Sequence, residues 1–477
     1  MPLRNLAWLV VVPAIVALGL AVSFSAPPPE NDYDRVRQVV NVMAEVDTNF
    51  YRELTEKEKQ QFVEDMINGG LRKLDPHSEY LNADKLKQFE TSAQGSFGGV
   101  GIVLTTDPTT KFLKVDHPMP GTPAYDAGII ADDLIVKVGD KSTEGMTVPD
   151  ARKIIVGEPK TQVKLTIRRA GRNPTDEDVT LTRGEIAQHP VSGVRRRADD
   201  PTKWDWFLDK PAGIAYIRLS EFNKRTTEEL KAAVEEIEKD GGKGLIFDLR
   251  ENGGGLLDQS IEVVDLFLTE GKIVSTRDRR SKERVFDAKK DGTAFLPAEQ
   301  KHLVVLVNDG SASASEIVAA ALQDHKRAIV IGERSYGKGS VQKLLRLGGQ
   351  GEQQSAVKLT TETYWRPNGK NMDRKLAEKD GSTEWGVTPD IEVPTTKEEK
   401  FRADVEQLKL QWVAGKPDVA KPRPAPTPKG ADGKPLVDDS KPFVDQPLNK
   451  AVEVLKKKLS GLGAAPPVRR VPEPIAG

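Results

Sequence analysis

Apolar positions along the chain fall into five patterns. Leu6 to Val22 is an uncharged apolar block behind a short stretch carrying Arg4. It is long for the apolar region of a signal peptide and short for a spanning helix. Ser23 and Ser25 offer small-x-small spacing, and Pro27-Pro28-Pro29 follows at once. Residues 1–26 therefore read as a signal peptide or membrane anchor, which places the remainder outside the cytoplasm. From 34 to 93 the spacing is helical. Val36, Val39, Val40, Met43, Val46 and Phe50 recur at three and four residues. Thr55 and Glu58 have capping-box spacing for a second helix carrying Phe62, Met66, Ile67 and Leu71. The pair predicts a small packed bundle, with self-association as an additional role.

Between 94 and 185 the runs shorten to strand length. Val100–Leu104, Leu134–Val138 and Val163–Ile167 are separated by Gly, Pro and Asp, with one helical stretch at Val148–Ile155. A small, mainly β domain is expected. From 186 to 395, strands and helices alternate. Leu245–Phe247, Leu303–Val307 and Ile329–Ile331 are continuous apolar runs, as in strands covered on both faces. Thr226 and Glu229 have the spacing to cap a helix carrying Leu230, Val234 and Ile237. This is an α/β layer arrangement, whose ligands gather beyond the carboxyl ends of the strands. From 396 to 477 the pattern loosens. A linker rich in Pro, Lys and Asp is expected at 416–445, one helix at Leu448–Leu459, and a disordered Pro-rich end.

Composition narrows the chemistry. The 477-residue chain is 37% apolar and 30% charged, with a formal net charge of −1. It is large enough for several domains, and it lacks the basic surplus of a nucleic-acid-binding protein. The absence of Cys excludes thiol catalysis, disulfides and cysteine-ligated metals. His77, His117, His189, His302 and His325 form no metal-ligand spacing, so neither a metal site nor a cofactor is expected.

Three loops lie where the sheet rule directs attention. They are Asn252-Gly253-Gly254-Gly255, Ser311-Ala312-Ser313-Ala314-Ser315-Glu316, and Gly332 through Gly339 with Lys338 between two glycines. A serine at a helix N-terminus sits where a developing alkoxide is favoured, although most such serines only cap. A lysine acts as a base only when neutral, which burial promotes; most turn lysines are solvated. Glycine N–H groups can stabilise an oxyanion, although a triple glycine alone is also a plain turn.

Taken together, these loops resemble the carboxyl-terminal processing peptidases, serine proteases of family S41. The resemblance runs over roughly 34–395 and rests on Ser311–Glu316, on Gly337-Lys338-Gly339-Ser340-Val341-Gln342 and on Asp75-Pro76-His77-Ser78-Glu79-Tyr80-Leu81. It implies Ser313 as nucleophile, Lys338 as base and Gln342 orienting the lysine. Gly254 or Gly255, with Ala314, would be the oxyanion donors. Asp324 falls where relatives often carry an acid, and Gly253 where Pro or Ala is common. The implied fold is a mixed α+β multidomain chain. N-terminal helices are followed by a PDZ domain at 94–185 and a ClpP/crotonase-like α/β core at 186–395. Gly99, Val100, Gly101 and Ile102 resemble a PDZ carboxylate-binding loop, with Ile102 and Leu104 lining its side-chain pocket. The implied substrates are unfolded or tagged protein C-termini, in the cell envelope or periplasm. An adaptor protein, a homo-oligomer such as a dimer, and the inner membrane through the N-terminus are the implied partners.

Three rivals fit less well. Gly332-x-x-x-x-Gly337-Lys338 nearly matches a P-loop, but Gly339 replaces the Mg²⁺-binding Ser or Thr and a strand pattern follows. A Ser–His–Asp site built on His325 would need a histidine roughly 18 Å along a helix from Ser313. A non-catalytic PDZ scaffold would have no use for Ser313, Lys338 and Gln342 together.

Overall fold

The computed structural model describes residues 32–461, apart from 170–175, 290–293, 296–299, 349–353, 421–424, 429–434, 439 and 441–442. The apolar block Leu6–Val22 lies outside the described residues. Among those described, no helix is long and apolar enough to cross a membrane. Two compact units, 1–76 and 77–477, are described separately.

The first unit holds α1 (Asp32–Asn49) and α2 (Glu56–Leu74). Thr55 and Glu58 form the expected reciprocal cap: the Thr55 N–H donates to Glu58 Oε2 at 2.9 Å and the Glu58 N–H to Thr55 Oγ1 at 3.3 Å. The packed bundle is not seen. Val36, Val39 and Val40 on α1 and Phe50 just beyond it are exposed, so among the described residues nothing covers the helical stripe.

In the second unit, β1 (Glu79–Leu81) and α3 (Ala83–Gln94) precede the small β domain. That domain comprises β2 (Ser96–Gly99), β3 (Ile102–Thr106), β4 (Leu113–Pro118), β5 (Leu134–Val138), α4 (Val148–Ile155), β6 (Gln162–Arg168), β7 (Asp176–Thr182) and β8 (Gly184–Ala187). Leu113 and Val115 on β4 and Leu165 and Ile167 on β6 alternate inward and are fully buried, the period of two that a half-buried strand requires. The strand expected at Val100–Leu104 starts instead at Ile102, because Gly101 has φ +76° and a Cβ there would meet Thr122 Oγ1 at 2.2 Å. Among the described residues, β3 pairs within its sheet only with β4, which leaves one edge open beside α4.

The larger domain contains β9 (Ile214–Leu219), α5 (Thr226–Lys239), β10 (Gly244–Asp248), α6 (Leu257–Asp265), β11 (Lys272–Asp278), β12 (Glu283–Asp287), β13 (His302–Val307), α7 (Ala314–Asp324), β14 (Ala328–Gly332), β15 (Ser340–Arg346) and β16 (Ala356–Trp365). Strands β9, β10, β13 and β14 run parallel in that order. Leu245 and Phe247 face one cluster with α5, α6 and α7. Ile246 faces another with Ala451 and Leu455 of α9 (Gln446–Gly461). Cover on both faces is why these strands read as unbroken apolar runs.

Thr226 does not cap α5. Its Oγ1 accepts from the Asn223 N–H and donates to Glu221 O, inside the turn before the helix. Three features escaped the pattern. A second, antiparallel sheet joins β1, β16, β11 and β12, with β15 also on β16. The β1 strand lies within the stretch expected to be helical. Helix α8 (Lys397–Gln411) occupies the expected loose region, capped by Thr396 and Glu399.

After α8 the chain docks on the small domain. Trp412 Nε1 donates to Asp116 O at 3.0 Å, and the Ala131 N–H to Ala414 O at 2.7 Å. It then returns to the sheet through an ionic clasp. Arg250 donates two bonds to Asp445, at 2.8 and 2.9 Å, while also holding the fully buried Asp248. Burial is the largest single influence on the Asp248 carboxyl and would raise it, but the charge and hydrogen bonds of Arg250, with the charge of Arg218, together outweigh burial and hold it below the ordinary value. Asp445 also accepts from the Leu448 N–H, so one carboxylate ties α9 to the strand end that leads into the glycine loop.

Replacing Asp445 with Ala should remove the cap and half of the Arg250 ligation. The expected loss is about 2–3 kcal/mol of stability, with α9 becoming the first segment to exchange amide hydrogens. Chemical denaturation and hydrogen-exchange mass spectrometry check this.

Candidate active site

Chain geometry at the end of β13 is set by a serine that never reaches the cleft. The Asn308 N–H donates to Ser311 Oγ, and Ser311 Oγ donates to Leu249 O at 2.8 Å, stitching β13 to β10. Two residues on, Ser313 has φ +57° and ψ −113°, a strained conformation for a non-glycine residue that costs about 1–3 kcal/mol. Such strain persists only where neighbours over-determine it. Here the Ser313 N–H donates to Glu316 Oε2 at 2.8 Å, and Ala312 N–H and Ser315 Oγ both donate to Asn252 O. Ser313 thus sits just before α7, with the helix's N–H groups behind it.

The lysine loop is fixed by the same acid. Glu316 is fully buried; its Oε1 accepts from Ser335 Oγ at 2.5 Å and the Gly337 N–H at 2.7 Å, and its Oε2 also accepts from the Lys338 N–H at 2.8 Å. One carboxylate therefore receives four hydrogen bonds, from both the serine turn and the lysine loop. Burial pushes its carboxyl above the ordinary value, and the four donors pull against that rise. The glycines flanking Lys338 have a steric reason. A Cβ at Gly337 would meet Trp385 at 2.6 Å, and one at Gly339 would meet the Asp373 backbone N at 2.3 Å.

Gln342 donates to Ser340 Oγ at 2.9 Å and to Thr360 Oγ1 at 3.0 Å. The Thr360 N–H in turn donates to Ser78 Oγ, which gives the serine of the Asp75–Leu81 motif a place behind the site. In the glycine loop, the Gly254 N–H donates to Asn252 Oδ1 at 2.9 Å. This corrects the expectation for Gly254: its N–H is engaged internally, so Gly255 and Ala314 are the candidate backbone donors. Gly254 serves by having no side chain, since a Cβ would lie 2.9 Å from Ser313 Cβ and 3.0 Å from Ala314 N.

Ser313, Lys338, Gln342 and Gly255 line one cleft of about 420 Å³, walled by Leu256, Leu257 and Phe89 of α3. Gly99, Val100, Gly101 and Ile102 lie elsewhere, at the turn from β2 into the open edge of β3. His325 caps the far end of α7 and bonds Lys272 O, and Asp324 is a bidentate partner of Arg366. Sequence reasoning passed over Glu316, Asn252 and Tyr364. For Glu316 a signal existed: Ser313-x-x-Glu316 has capping-box spacing. Nothing local marks Asn252 or Tyr364.

A family model described as peptidase family S41 matches residues 213–393, and one described as a PDZ domain matches 114–169. The chain is 38% identical over 388 residues to a carboxy-terminal-processing protease of Bartonella bacilliformis, covering 80% of each. It is 32% identical over 383 residues to the carboxy-terminal processing protease CtpA of Bacillus subtilis, covering 78% of this chain and 75% of that one. Among solved structures, the photosystem II D1 C-terminal processing protease is 29% identical, with a TM-score of 0.38 over 73% of this chain and 85% of its own.

Two substitutions separate steric from bystander glycines. Gly254→Ala, with φ +101° and no room for a methyl, should lower kcat by about 100-fold. Gly253→Ala, where a Cβ meets nothing within 4 Å, should leave it unchanged. Steady-state peptide cleavage reads both. Glu316→Gln puts an amide NH₂ against two donors whichever way it turns. The expected cost is about 2–3 kcal/mol at the site, or roughly 30–150-fold in kcat. Because the folded pKa of Glu316 lies above its unfolded value, its contribution to stability is present below the unfolded pKa and is lost as pH rises through the folded one. The Tm gap between wild type and Glu316→Gln should therefore narrow as pH climbs through that window.

Proposed function

Since the chain belongs to the carboxy-terminal processing proteases of peptidase family S41, we propose that it cleaves polypeptides near their C-termini through a Ser313–Lys338 dyad. The observation that carries the reading is the shared carboxylate. Glu316 binds the backbone of both residues, and both side chains open into one cleft.

The chemistry then runs as acyl transfer. Neutral Lys338 takes the proton from Ser313 Oγ as the oxygen attacks the scissile carbonyl carbon. Leu256, Leu257 and Phe222 give the cleft apolar walls, with Glu221 and Lys358 also on its lining. The oxyanion is received by the N–H groups of Gly255 and Ala314 at the start of α7. The lysine returns its proton to the leaving amine, and a water molecule, activated by the same lysine, releases the acyl group. Gln342, on the strand that follows Lys338, orients the amine.

Selectivity comes from the PDZ domain. The open edge of β3 accepts a peptide as an added strand, and the backbone of Gly99, Val100, Gly101 and Ile102 receives its terminal carboxylate. We assign the parallel core to the ClpP/crotonase type. Residues 1–26 export the chain or anchor it at the inner membrane, so it acts in the envelope or periplasm on unfolded or tagged proteins, with an adaptor and as a homo-oligomer.

Cleavage of matched peptides with free and amidated C-termini tests the proposal. Amidation should raise KM, while Ser313→Ala and Lys338→Ala should each lower kcat by about 1,000-fold or more. Equal cleavage by Ser313→Ala and wild type would place the activity in a contaminant or at another site and overturn the dyad; no cleavage by either would return the chain to the scaffold reading.

A further inference from the structure

The cleft holds one buried polar group that the mechanism above leaves unused. Tyr364 lies near the end of β16, is 4% exposed, and lines the same cavity as Ser313 and Lys338. Its backbone N–H donates to Gly339 O at 2.7 Å, so the residue is fastened to the carbonyl of the glycine that directly follows the lysine. Its hydroxyl shares the cleft with the Ser313 side chain, whose proximity pulls the phenol pKa down against the rise that burial gives. Trp365, the next residue, bonds Thr363 and stacks with Arg277, with the guanidinium carbon 3.9 Å from the ring centroid. The alternation of the strand thus directs the phenol, and not the indole, at the nucleophile.

We propose that Tyr364 is a further catalytic residue, whose hydroxyl donates to Ser313 Oγ and leaves the serine proton directed at the Lys338 amine. The inference rests on the Ser–Lys reading and refines it. A serine hydroxyl has one proton to donate and lone pairs to accept. With the phenol occupying an acceptor position, the rotamer is fixed and the remaining donor direction is toward the base. In the first step the Ser313 O–H bond breaks and its proton passes to Lys338 Nζ. The Oγ–carbon bond forms, and the carbonyl π electrons move to the oxyanion. Tyr364 keeps its proton throughout and loses its acceptor as Oγ becomes an ester oxygen. Burial holds the phenol well above its ordinary pKa, so it remains a donor and is not a competing base.

Tyr364→Phe deletes the hydroxyl and keeps the ring. With a peptide substrate, kcat should fall about tenfold or more while KM stays within about twofold, the signature of a contact used after binding. Labelling of Ser313 by a fluorophosphonate probe should slow in parallel, with Tm close to wild type. Trp365→Phe, which disturbs the same strand outside the cleft, should leave kcat unchanged. Wild-type kcat and labelling rate in Tyr364→Phe would overturn the proposal. So would an equal loss in Trp365→Phe, which would mark a structural effect of the strand. Should Tyr364→Phe fail to fold, fluorotyrosine at position 364 keeps shape and donor while acidifying the phenol. A changed kcat then supports the role and an unchanged one overturns it. Ser313→Ala run alongside separates the two levels. If it stays active, the dyad reading has failed; if it is dead while Tyr364→Phe is fully active, only the tyrosine assignment has.

Discussion

A buried carboxylate with four donors holds the site together. Glu316 has no solvent around it, and each of its oxygens accepts twice. Leaving any of those donors unpaired in a dry interior costs more than a typical hydrogen bond returns. The arrangement therefore behaves as a unit: the strained backbone of Ser313 and the loop bearing Lys338 are held by the same group, at about 2.7–2.8 Å for the backbone donors. Two loops that follow different strands, β13 and β14, become one rigid element of the cleft.

Around that point the fold supplies cover and reference. The parallel strands β9, β10, β13 and β14 deliver their carboxyl ends side by side, which brings the glycine loop and the serine turn together. Asn252 joins them, accepting from Ala312 and Ser315 and aligning Gly254 through its own side chain. On the opposite face α9 completes the sheet, and the Arg250–Asp445 clasp fixes the helix four residues before Gly254. The chain between α8 and α9 docks on the small β domain, so the C-terminal region links that domain and the core within one unit.

Much of this was legible because it rests on local rules. Strands buried on both faces appear as unbroken apolar runs, and β5 and α4 fall on the expected residues. The capping box at Thr55 needs only spacing. Errors came where a distant partner decides. Glu79–Leu81 pairs with Ala356–Lys358, a contact no local pattern carries, and so the stretch was expected to be helical. Thr226 has the right spacing for a cap, yet its hydroxyl is taken by the preceding turn. Val36, Val39 and Val40 have helical periodicity, which specifies a face and leaves open whether anything covers it.

At the site the division is the same. Residue types and strand ends directed attention to the loops holding Ser313 and Lys338, and the resemblance to family S41 supplied the roles of both and of Gln342. Only tertiary structure distinguished Gly254 from Gly255, which are equivalent in sequence: the Asn252 side chain takes the Gly254 N–H, and Gly255 lines the cleft. It also brought in Tyr364, fifty-one residues from Ser313 in the chain, through the antiparallel pairing of β16. Sequence carries propensity and periodicity, which are short-ranged; hydrogen-bond partners in a dry interior are chosen by three-dimensional proximity, and proximity is the product of folding.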